Sequence, residues 1–262
     1  MNGRGLSKEQ VLNSGLEYFD LQAYVGTTKH MGGLAATKEL ARLCHIGGET
    51  LVLDLGCGVG ATPLYLARTF GTRVIGVDVR ESMVAQARRR AQQEGLARLI
   101  DFQVADAAAL PFETGLFGAV IGESVVSFVE VKKRVLREVA RVTEPDGYVG
   151  FNEEVWLSPP PRKLTEFVKR AWDVEPLRAT EWVTMLQDAG LRDVAAKCRE
   201  LNPWREATQL KRYRLTDLGR MIWRTLDFYV TRPAFRTYMA ERRSVPSDLF
   251  DHLAYALLVG RK

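Results

Sequence analysis

A glycine-rich turn in LVLDLGCGVGATPLYLA, residues 51–67, limits the fold of this chain more than any other stretch. An apolar run ends at Asp54, and three glycines then take every second position: Gly56, Gly58 and Gly60. Glycines at a strand-to-helix turn let the backbone approach a ligand closely, and the helix that follows presents its first N–H groups there. The stretch therefore predicts a β-strand, a ligand-binding turn and an α-helix in succession.

The alternation of strand and helix patterns continues beyond this turn. Strands are predicted over Thr50–Leu55, Arg73–Asp78, Leu99–Ala105, Phe117–Gly122 and Gly147–Glu154. Helices are predicted over Ala61–Phe70, Glu81–Glu94 and Val131–Arg141. Strands that alternate with helices indicate βαβ units, and hence an α/β fold with a parallel sheet and helices on both faces.

Asp54 distinguishes between two ligand classes that use such a turn, dinucleotides and S-adenosylmethionine. The glycine spacing alone also satisfies the dinucleotide pattern, through Gly56, Gly58 and Ala61. A carboxylate so close to the turn would repel a pyrophosphate. It suits the ammonium and the sulfonium of S-adenosylmethionine, which the sequence therefore favours.

Two further acids end successive strands. Asp78, in VIGVDVRESM, can accept hydrogen bonds from both hydroxyls of a ribose, and Asp106, in VADAAALPF, can accept one from an adenine amino group. Val79, Arg80 and Met83 are placed to cover the adenine ring. The predicted cofactor-binding residues are Asp54, Gly56, Cys57, Gly58, Gly60, Asp78, Val79, Met83, Asp106, Ala107 and Glu123.

At these motifs the chain resembles the class I S-adenosylmethionine-dependent methyltransferases. The matching segments are VLDLGCGVG, GVDVRESM, VADAAALPF, FGAVIGESVVSFV, LREVARVTEPDGYVGFNE, LQDAGLRDV and YALLVGRK. The resemblance implies a Rossmann-like sheet of seven mostly parallel strands, with strand 7 antiparallel. Within the family, the sequence looks most like the small-molecule branch that includes quinone, sterol and lipid methyltransferases.

The resemblance implies one methyltransferase domain over residues 1–262. Its parts are a helical N-terminal lid at 1–45, a cofactor-binding core at 46–200, a helical insertion at 201–250 and the last strand at 251–262. Within the lid, the segment Tyr18–Gly33 is predicted to close over the cofactor. Its Gly32-Gly33 pair suggests a backbone that passes close to a ligand or another chain.

Two residues are candidates for the catalytic step. Methyl transfer from a sulfonium needs an aligned acceptor, and a general base when the acceptor is a hydroxyl, a phenol or a carbon acid. Glu123 follows the fourth predicted strand, where the methyl group is expected. His30, in TTKHMGG, has the side chain best suited to proton transfer near neutral pH, with a structural role as the alternative.

Candidate substrate residues come from the lid, the fifth strand and the insertion. They are Tyr24, Glu154, Trp204 and Trp223. Alternation along a strand puts Glu153 and Glu154 on opposite faces, so that at most one points into the site, and a solvated strand end is the alternative.

The insertion holds a helical pattern in LTDLGRMIWRTLDFYV. Apolar residues share one face at Leu215, Leu218, Ile222, Leu226 and Tyr229. This face predicts a helix packed over the sheet edge, and a surface for an acidic lipid or a partner subunit is the alternative.

Composition excludes several other classes of protein. The chain is 46% hydrophobic and 26% charged, with a net charge of +5, which permits an anionic substrate, a nucleic acid or an acidic membrane without favouring one. Cys44, Cys57 and Cys198 form no CxxC pair, and the three histidines pair with none of them at ligand spacing, so neither disulfides nor a metal is expected. The N-terminus is polar and no apolar run reaches a membrane-spanning length, which together predict a cytoplasmic protein.

The predicted function is S-adenosylmethionine-dependent methyl transfer to a small, apolar or lipid- or quinone-like acceptor. The fourth strand ends in IGES, without the Asn/Asp-Pro-Pro-aromatic string of the amino-methyltransferases that act on bases, so no nucleic acid partner is expected. The alternatives are a non-catalytic cofactor-binding subunit and a methyltransferase that acts on a nucleic acid or a protein. The sequence leaves open a homodimer and a peripheral membrane contact.

Overall fold

Eight strands join into one sheet in the computed structural model, which describes residues 22, 24–26, 30–201, 211, 213, 215–232, 235–236 and 245–262. The strands are β1 Leu51–Leu55, β2 Arg73–Asp78, β3 Ile100–Val104, β4 Phe117–Glu123, β5 Thr143–Trp156, β6 Leu177–Arg178, β7 Arg192–Glu200 and β8 Leu253–Arg261. The strand order is β3-β2-β1-β4-β5-β8-β7. The two-residue β6 is not part of this order and pairs with β5.

The strands up to β6 pair in parallel, and β8 runs antiparallel to both of its neighbours, β5 and β7. This arrangement confirms the predicted α/β, Rossmann-like sheet with its antiparallel last strand. The short β6 was not predicted, because two residues are too few to form an alternating pattern.

Helices cover both faces of this sheet. They are α1 Gly33–Leu43, α2 Ala61–Phe70, α3 Glu81–Gln93, α4 Lys132–Val142, α5 Arg162–Trp172, α6 Ala179–Asp188, α7 Leu215–Thr231 and the single turn α8 Leu249–His252, with a 3₁₀ turn at Val126–Phe128. The first three bury residues such as Leu40, Leu64 and Val84 against one face. On the other face, α4 and α6 bury Val139 and Trp182.

Most predicted bounds lie within one or two residues of the observed ones, and β2 and α2 coincide with the prediction. Strand β5 is longer than predicted at both ends, since it continues to pair with β8 as far as Trp156. Helix α5 is not among the helices predicted from the sequence. Pro161 is the residue that directly precedes this helix.

Helix α7 corrects the prediction for the insertion. Its side chains at Leu215, Ile222 and Leu226 are exposed, the first of them by 87%, whereas Phe228 on another side is fully buried. The helix therefore packs through the side that holds Phe228, and the prediction that the Leu215 face is packed is wrong. None of the helices in the described part of the chain is long and apolar enough to cross a membrane.

Candidate active site

The glycine turn between β1 and α2 has a backbone that favours glycine. Gly56, Gly58 and Gly60 have φ angles of 59°, 51° and 79°, in the left-handed region. A Cβ on Gly56 would lie 2.4 Å from a methyl carbon of Val125. The Cys57 N–H donates to the Val77 carbonyl at 2.9 Å, which fixes the turn against the end of β2.

Asp78, the last residue of β2, connects the same turn to the start of α3. Its Oδ2 accepts from the Gly58 N–H at 3.0 Å and its Oδ1 from the Arg80 N–H at 2.9 Å. Burial raises the pKa of Asp78, and the two N–H donors oppose this rise. Each carboxylate oxygen retains a second acceptor position, so the geometry fits the two hydroxyls of a ribose.

The ends of β2 and β3 present apolar and acidic groups side by side. Val79 is 70% exposed and Val104 is half-exposed, and an apolar surface of this kind fits the face of an adenine. Asp106 is also exposed, with one oxygen accepting from the Ala108 N–H at 2.8 Å and the other open to a donor such as an amino group. Met83, by contrast, is buried in a cluster with neighbours of the turn.

Asp54 is a buried carboxylate directly before the turn, on β1 between Gly76 of β2 and Ile121 of β4. Together with the turn, Asp78 and Asp106, it forms a set of acidic groups along the carboxyl ends of β1, β2 and β3. This set fits a cofactor that carries an ammonium, a sulfonium, a ribose and an adenine.

A buried polar network surrounds Glu123 at the end of β4. The hydroxyl of Thr62 donates to Glu123 Oε2 at 2.7 Å, and the hydroxyl of Thr37 donates to the carboxylate at 3.0 Å. His30 Nε2 lies 3.5 Å from the same Oε2. The structure thus brings together His30 and Glu123, the two catalytic candidates, although they are far apart in the sequence.

His30 is enclosed by protein groups on both ring nitrogens. Its Nε2 lies 3.3 Å from the Thr37 hydroxyl, which donates to Glu123 and so accepts from His30. Its Nδ1 lies 3.2 Å from the Asn152 amide nitrogen and 3.2 Å from the Met31 carbonyl. These partners favour a neutral ring with its proton on Nε2, in which Nδ1 accepts from the Asn152 amide.

Asn152, the β5 residue in register with Glu123, leaves one atom of this network without a partner. Its amide nitrogen donates to the Met31 carbonyl at 2.8 Å, which fixes the orientation of the amide group. Its Oδ1 is buried, and no hydrogen-bond partner for it is found in the structure as described. A buried acceptor without a donor is uncommon in native proteins, and a ligand N–H or O–H would satisfy it.

Glu153 and Glu154 have different surroundings, and neither is the solvated strand end that the sequence left as an alternative. Glu153 is fully buried and accepts N–H groups from Val125, Val126 and Ser127, together with the Ser127 hydroxyl at 2.6 Å. Burial and the charge of Glu154 raise its pKa to about 7. Glu153 therefore holds the 3₁₀ turn.

Glu154 is buried on the strand face that also holds Asn152, since residues two apart share a face. Its Oε1 accepts from the Ser124 hydroxyl at 3.0 Å. Ser124 has a φ of 52°, unusual for a residue with a side chain, and this backbone turns the hydroxyl toward β5.

The remaining candidates make no described contact with this network. Tyr24 packs against Phe228 of α7 with the two rings tilted and their centroids 4.6 Å apart. Trp223 is 72% exposed on α7, which favours a surface position over the substrate contact predicted for it. Trp204 and much of the predicted lid lie outside the described residues.

Gly32 explains the glycine pair of the predicted lid. A Cβ on this residue, which has a φ of 77°, would lie 2.5 Å from the ring of Tyr255. In the structure, the close approach of Gly32 is to the chain's own β8.

The sequence missed Thr37, Thr62 and Asn152. Each is a single small polar residue, and no spacing pattern in the sequence marks it. Only the contact with Glu123 or His30 indicates a functional position. Among the described residues, no group of three His, Cys, Asp or Glu side chains is placed to hold a metal ion.

Comparisons with known proteins agree with this geometry. Residues 53–151 match a family model described as a methyltransferase domain. An uncharacterised protein of Haemophilus influenzae is 32% identical over 177 residues, which are 66% of this chain and 70% of that protein. Phosphoethanolamine N-methyltransferase 1 of Arabidopsis thaliana is 30% identical over 202 residues, which are 75% of this chain but only 39% of the plant enzyme.

Solved structures show the same fold. Phosphoethanolamine N-methyltransferase 2 of Haemonchus contortus, in complex with S-adenosyl-L-methionine, has a TM-score of 0.72 at 18% identity, over 98% of this chain and 60% of that one. The MccD protein has a TM-score of 0.71 at 21% identity, over 90% of this chain and 100% of that one. These likenesses show the fold. The family model and the relatives named as methyltransferases show that the chain belongs to the class I methyltransferases, whose cofactor is S-adenosylmethionine.

Proposed function

We propose that this protein transfers a methyl group to a nitrogen or oxygen atom of a small organic acceptor. The observation that supports this most directly is the unsatisfied Oδ1 of Asn152, buried beside the Glu123 carboxylate. Glu123 follows Gly122, which pairs with Leu55 just before the glycine turn. A buried hydrogen-bond acceptor with no partner among the described residues thus lies on β5, beside β4, the strand that adjoins β1 and its glycine turn.

The cofactor, when bound, supplies an electrophilic methyl group on a positively charged sulfur. We propose that Asp78 holds its ribose, that Val79 and Asp106 hold its adenine, and that the glycine turn with Asp54 holds its methionine part. The remaining predicted contacts, at Cys57, Met83 and Ala107, adjoin these groups.

Glu123 is the proposed catalytic residue, and His30 is a positioning residue that acts through it. The two threonine hydroxyls and His30 Nε2 hold the Glu123 carboxylate in one orientation. A carboxylate there can accept the proton that an attacking amine or hydroxyl loses. Because both nitrogens of His30 face protein groups, its proposed part is to orient Glu123.

The acceptor is proposed to be small and to carry a hydrogen-bond donor. Glu154 shares the strand face of Asn152, and the carboxylates of Glu123 and Glu154 favour an acceptor with an amine or a hydroxyl over an entirely apolar one. Tyr24 remains a proposed contact from the lid. The plant relatives named as phosphoethanolamine N-methyltransferases support a small amine as the first acceptor class to test.

The experiment is a turnover assay with paired variants. Purified protein is incubated with S-adenosylmethionine and a panel of small amines, phenols and hydroxyl compounds, and the formation of S-adenosylhomocysteine is measured. Glu123→Gln is expected to lower kcat by about 100-fold or more, in the range of a lost general base. Glu113→Gln, at an exposed glutamate, is the matched control and leaves kcat unchanged.

Two further variants separate the roles. Asn152→Leu is expected to raise KM for the acceptor while the affinity for S-adenosylmethionine is retained. His30→Gln is expected to lower kcat and to alter its pH profile with the cofactor affinity unchanged. If the protein binds the cofactor but forms no S-adenosylhomocysteine with any acceptor, the proposal is contradicted and a non-catalytic subunit is favoured. If S-adenosylhomocysteine forms only with a protein or a nucleic acid, the proposed small acceptor is wrong.

A further inference from the structure

A cavity of about 210 Å³ lies between α3 and α7, outside the candidate active site. The residues that line it all carry polar side chains and are Gln86, Arg89, Arg90, Gln93, Arg220 and Arg224. None of these six residues is acidic, and none belongs to the network around Glu123.

Arg90 is held in place at the inner wall of this cavity. Its side chain is 5% exposed, its Nη1 donates to the Val59 carbonyl at 2.8 Å, and its guanidinium lies 4.9 Å from the centre of the Tyr213 ring. A guanidinium fixed in this way loses little further freedom when it binds a ligand.

Arg224 stands at the opposite wall. It donates to the Tyr24 carbonyl and lies over the Tyr24 ring at 5.3 Å. Burial lowers the pKa of Arg224, and the positive charges of Arg220 and Arg89 lower it further. The arginines of the two helices therefore repel one another across the cavity.

Two carboxylates that are not part of the lining pair with its arginines. Asp217 lies 3.5 Å from Arg220, and Glu94 lies 4.0 Å from Arg90 while it also pairs with Arg68. Arg89 contacts the neutral amide oxygen of Gln86 at 2.6 Å. Among the residues that the structure describes, four guanidinium groups thus line the cavity and two carboxylates pair with them.

We propose that this cavity is a binding site for an anion that carries one or two phosphate groups. Guanidinium groups bind phosphate oxygens through paired, charge-assisted hydrogen bonds, and the amides of Gln86 and Gln93 add neutral donors. One water occupies about 30 Å³ of liquid, so the volume suffices for a diphosphate group. The phosphate belongs either to a soluble organic phosphate or to the headgroup of an acidic lipid.

The test measures binding of inorganic pyrophosphate to the whole chain by calorimetry. The double variant Arg89→Gln with Arg220→Gln removes two lining charges whose only described contacts are Gln86 and Asp217. We expect the pyrophosphate affinity to fall by about tenfold or more, as for lost charge-assisted hydrogen bonds. Arg137→Gln with Arg162→Gln removes equal charge from exposed positions elsewhere and is expected to leave the affinity unchanged.

S-adenosylhomocysteine binding and the thermal melt of each variant verify that it is folded. In a second arm, flotation with vesicles that contain phosphatidic acid, against phosphatidylcholine alone, distinguishes the two sources. Arginine-dependent binding to the acidic vesicles assigns the lipid headgroup, and arginine-dependent binding of pyrophosphate alone assigns a soluble phosphate. Two results would overturn the proposed site. One is that the lining variant and the control variant bind every probe with the same affinity, and the other is that no probe binds at all.

Discussion

A side chain at position 56 would destabilise the fold in two ways. Alanine there would occupy the left-handed region, at about 1–2 kcal/mol, and its Cβ would also meet Val125. We expect Gly56→Ala to lower the free energy of unfolding by clearly more than Gly95→Ala, since Gly95 has a φ of 70° but open space around it. Urea denaturation measures both. Adding Val125→Ala should recover part of the Gly56→Ala loss, and no recovery would contradict the clash.

Asp78 provides the clearest single test of the cofactor site. Asp78→Ala is expected to weaken S-adenosylmethionine binding by about 1–3 kcal/mol, because a charged acceptor for two hydroxyls is lost along with a support of the glycine turn. Calorimetry on the folded variant gives the number, with Asp188→Ala at an exposed position as the control. An unchanged dissociation constant would mean that the ribose lies elsewhere.

Helix α7 offers a matched pair of aromatic substitutions. Phe228→Ala removes a fully buried ring and is expected to cost about 3 kcal/mol, whereas Trp223→Ala removes a ring that is 72% exposed and should cost little. Chemical denaturation followed by circular dichroism compares the two. A larger loss for Trp223→Ala would show that its face is covered in solution.

Glu153, which accepts hydrogen bonds from the 3₁₀ turn at Val126–Phe128, makes the stability of the protein depend on pH. Because the pKa of Glu153 is raised to about 7 from 4.5, the folded protein binds more protons than the unfolded chain between these values. Its stability therefore falls as pH rises through this window. Denaturation at about pH 5 and about pH 8 should show wild type losing stability relative to Glu153→Gln, which cannot titrate at that position. A difference between the two proteins that is independent of pH would contradict this.

Elements with local signals were predictable, and elements fixed by distant partners were not. The turn after β1 carries its own glycines, so β1, β2 and α2 follow closely from the sequence. The length of β5 depends on β8, and the packed side of α7 depends on which neighbours reach it. Likewise Asp78 and Glu123 end strands and were found, whereas Asn152 matters only through its contact with His30.

For the whole molecule, the cofactor is expected to act as a stabiliser. A ligand at about 100 times its dissociation constant adds about 2.7 kcal/mol, and a domain of this size gains roughly 2–4 °C in Tm per kcal/mol. S-adenosylhomocysteine should therefore raise Tm by several degrees, and by less in Asp78→Ala at the same concentration. Melting curves followed by circular dichroism measure this, and a Tm that does not change with ligand would contradict the site.

The position of β8 in the sheet determines when the sheet can be completed during synthesis. Strand β7 emerges from the ribosome before β8, yet both of the sheet's antiparallel pairings are made by β8, between β5 and β7. Until β8 arrives, β5 has an open edge and β7 has no partner in the sheet. Such an edge is a template for pairing with another chain, so the nascent protein is most prone to aggregate in the interval between these two strands.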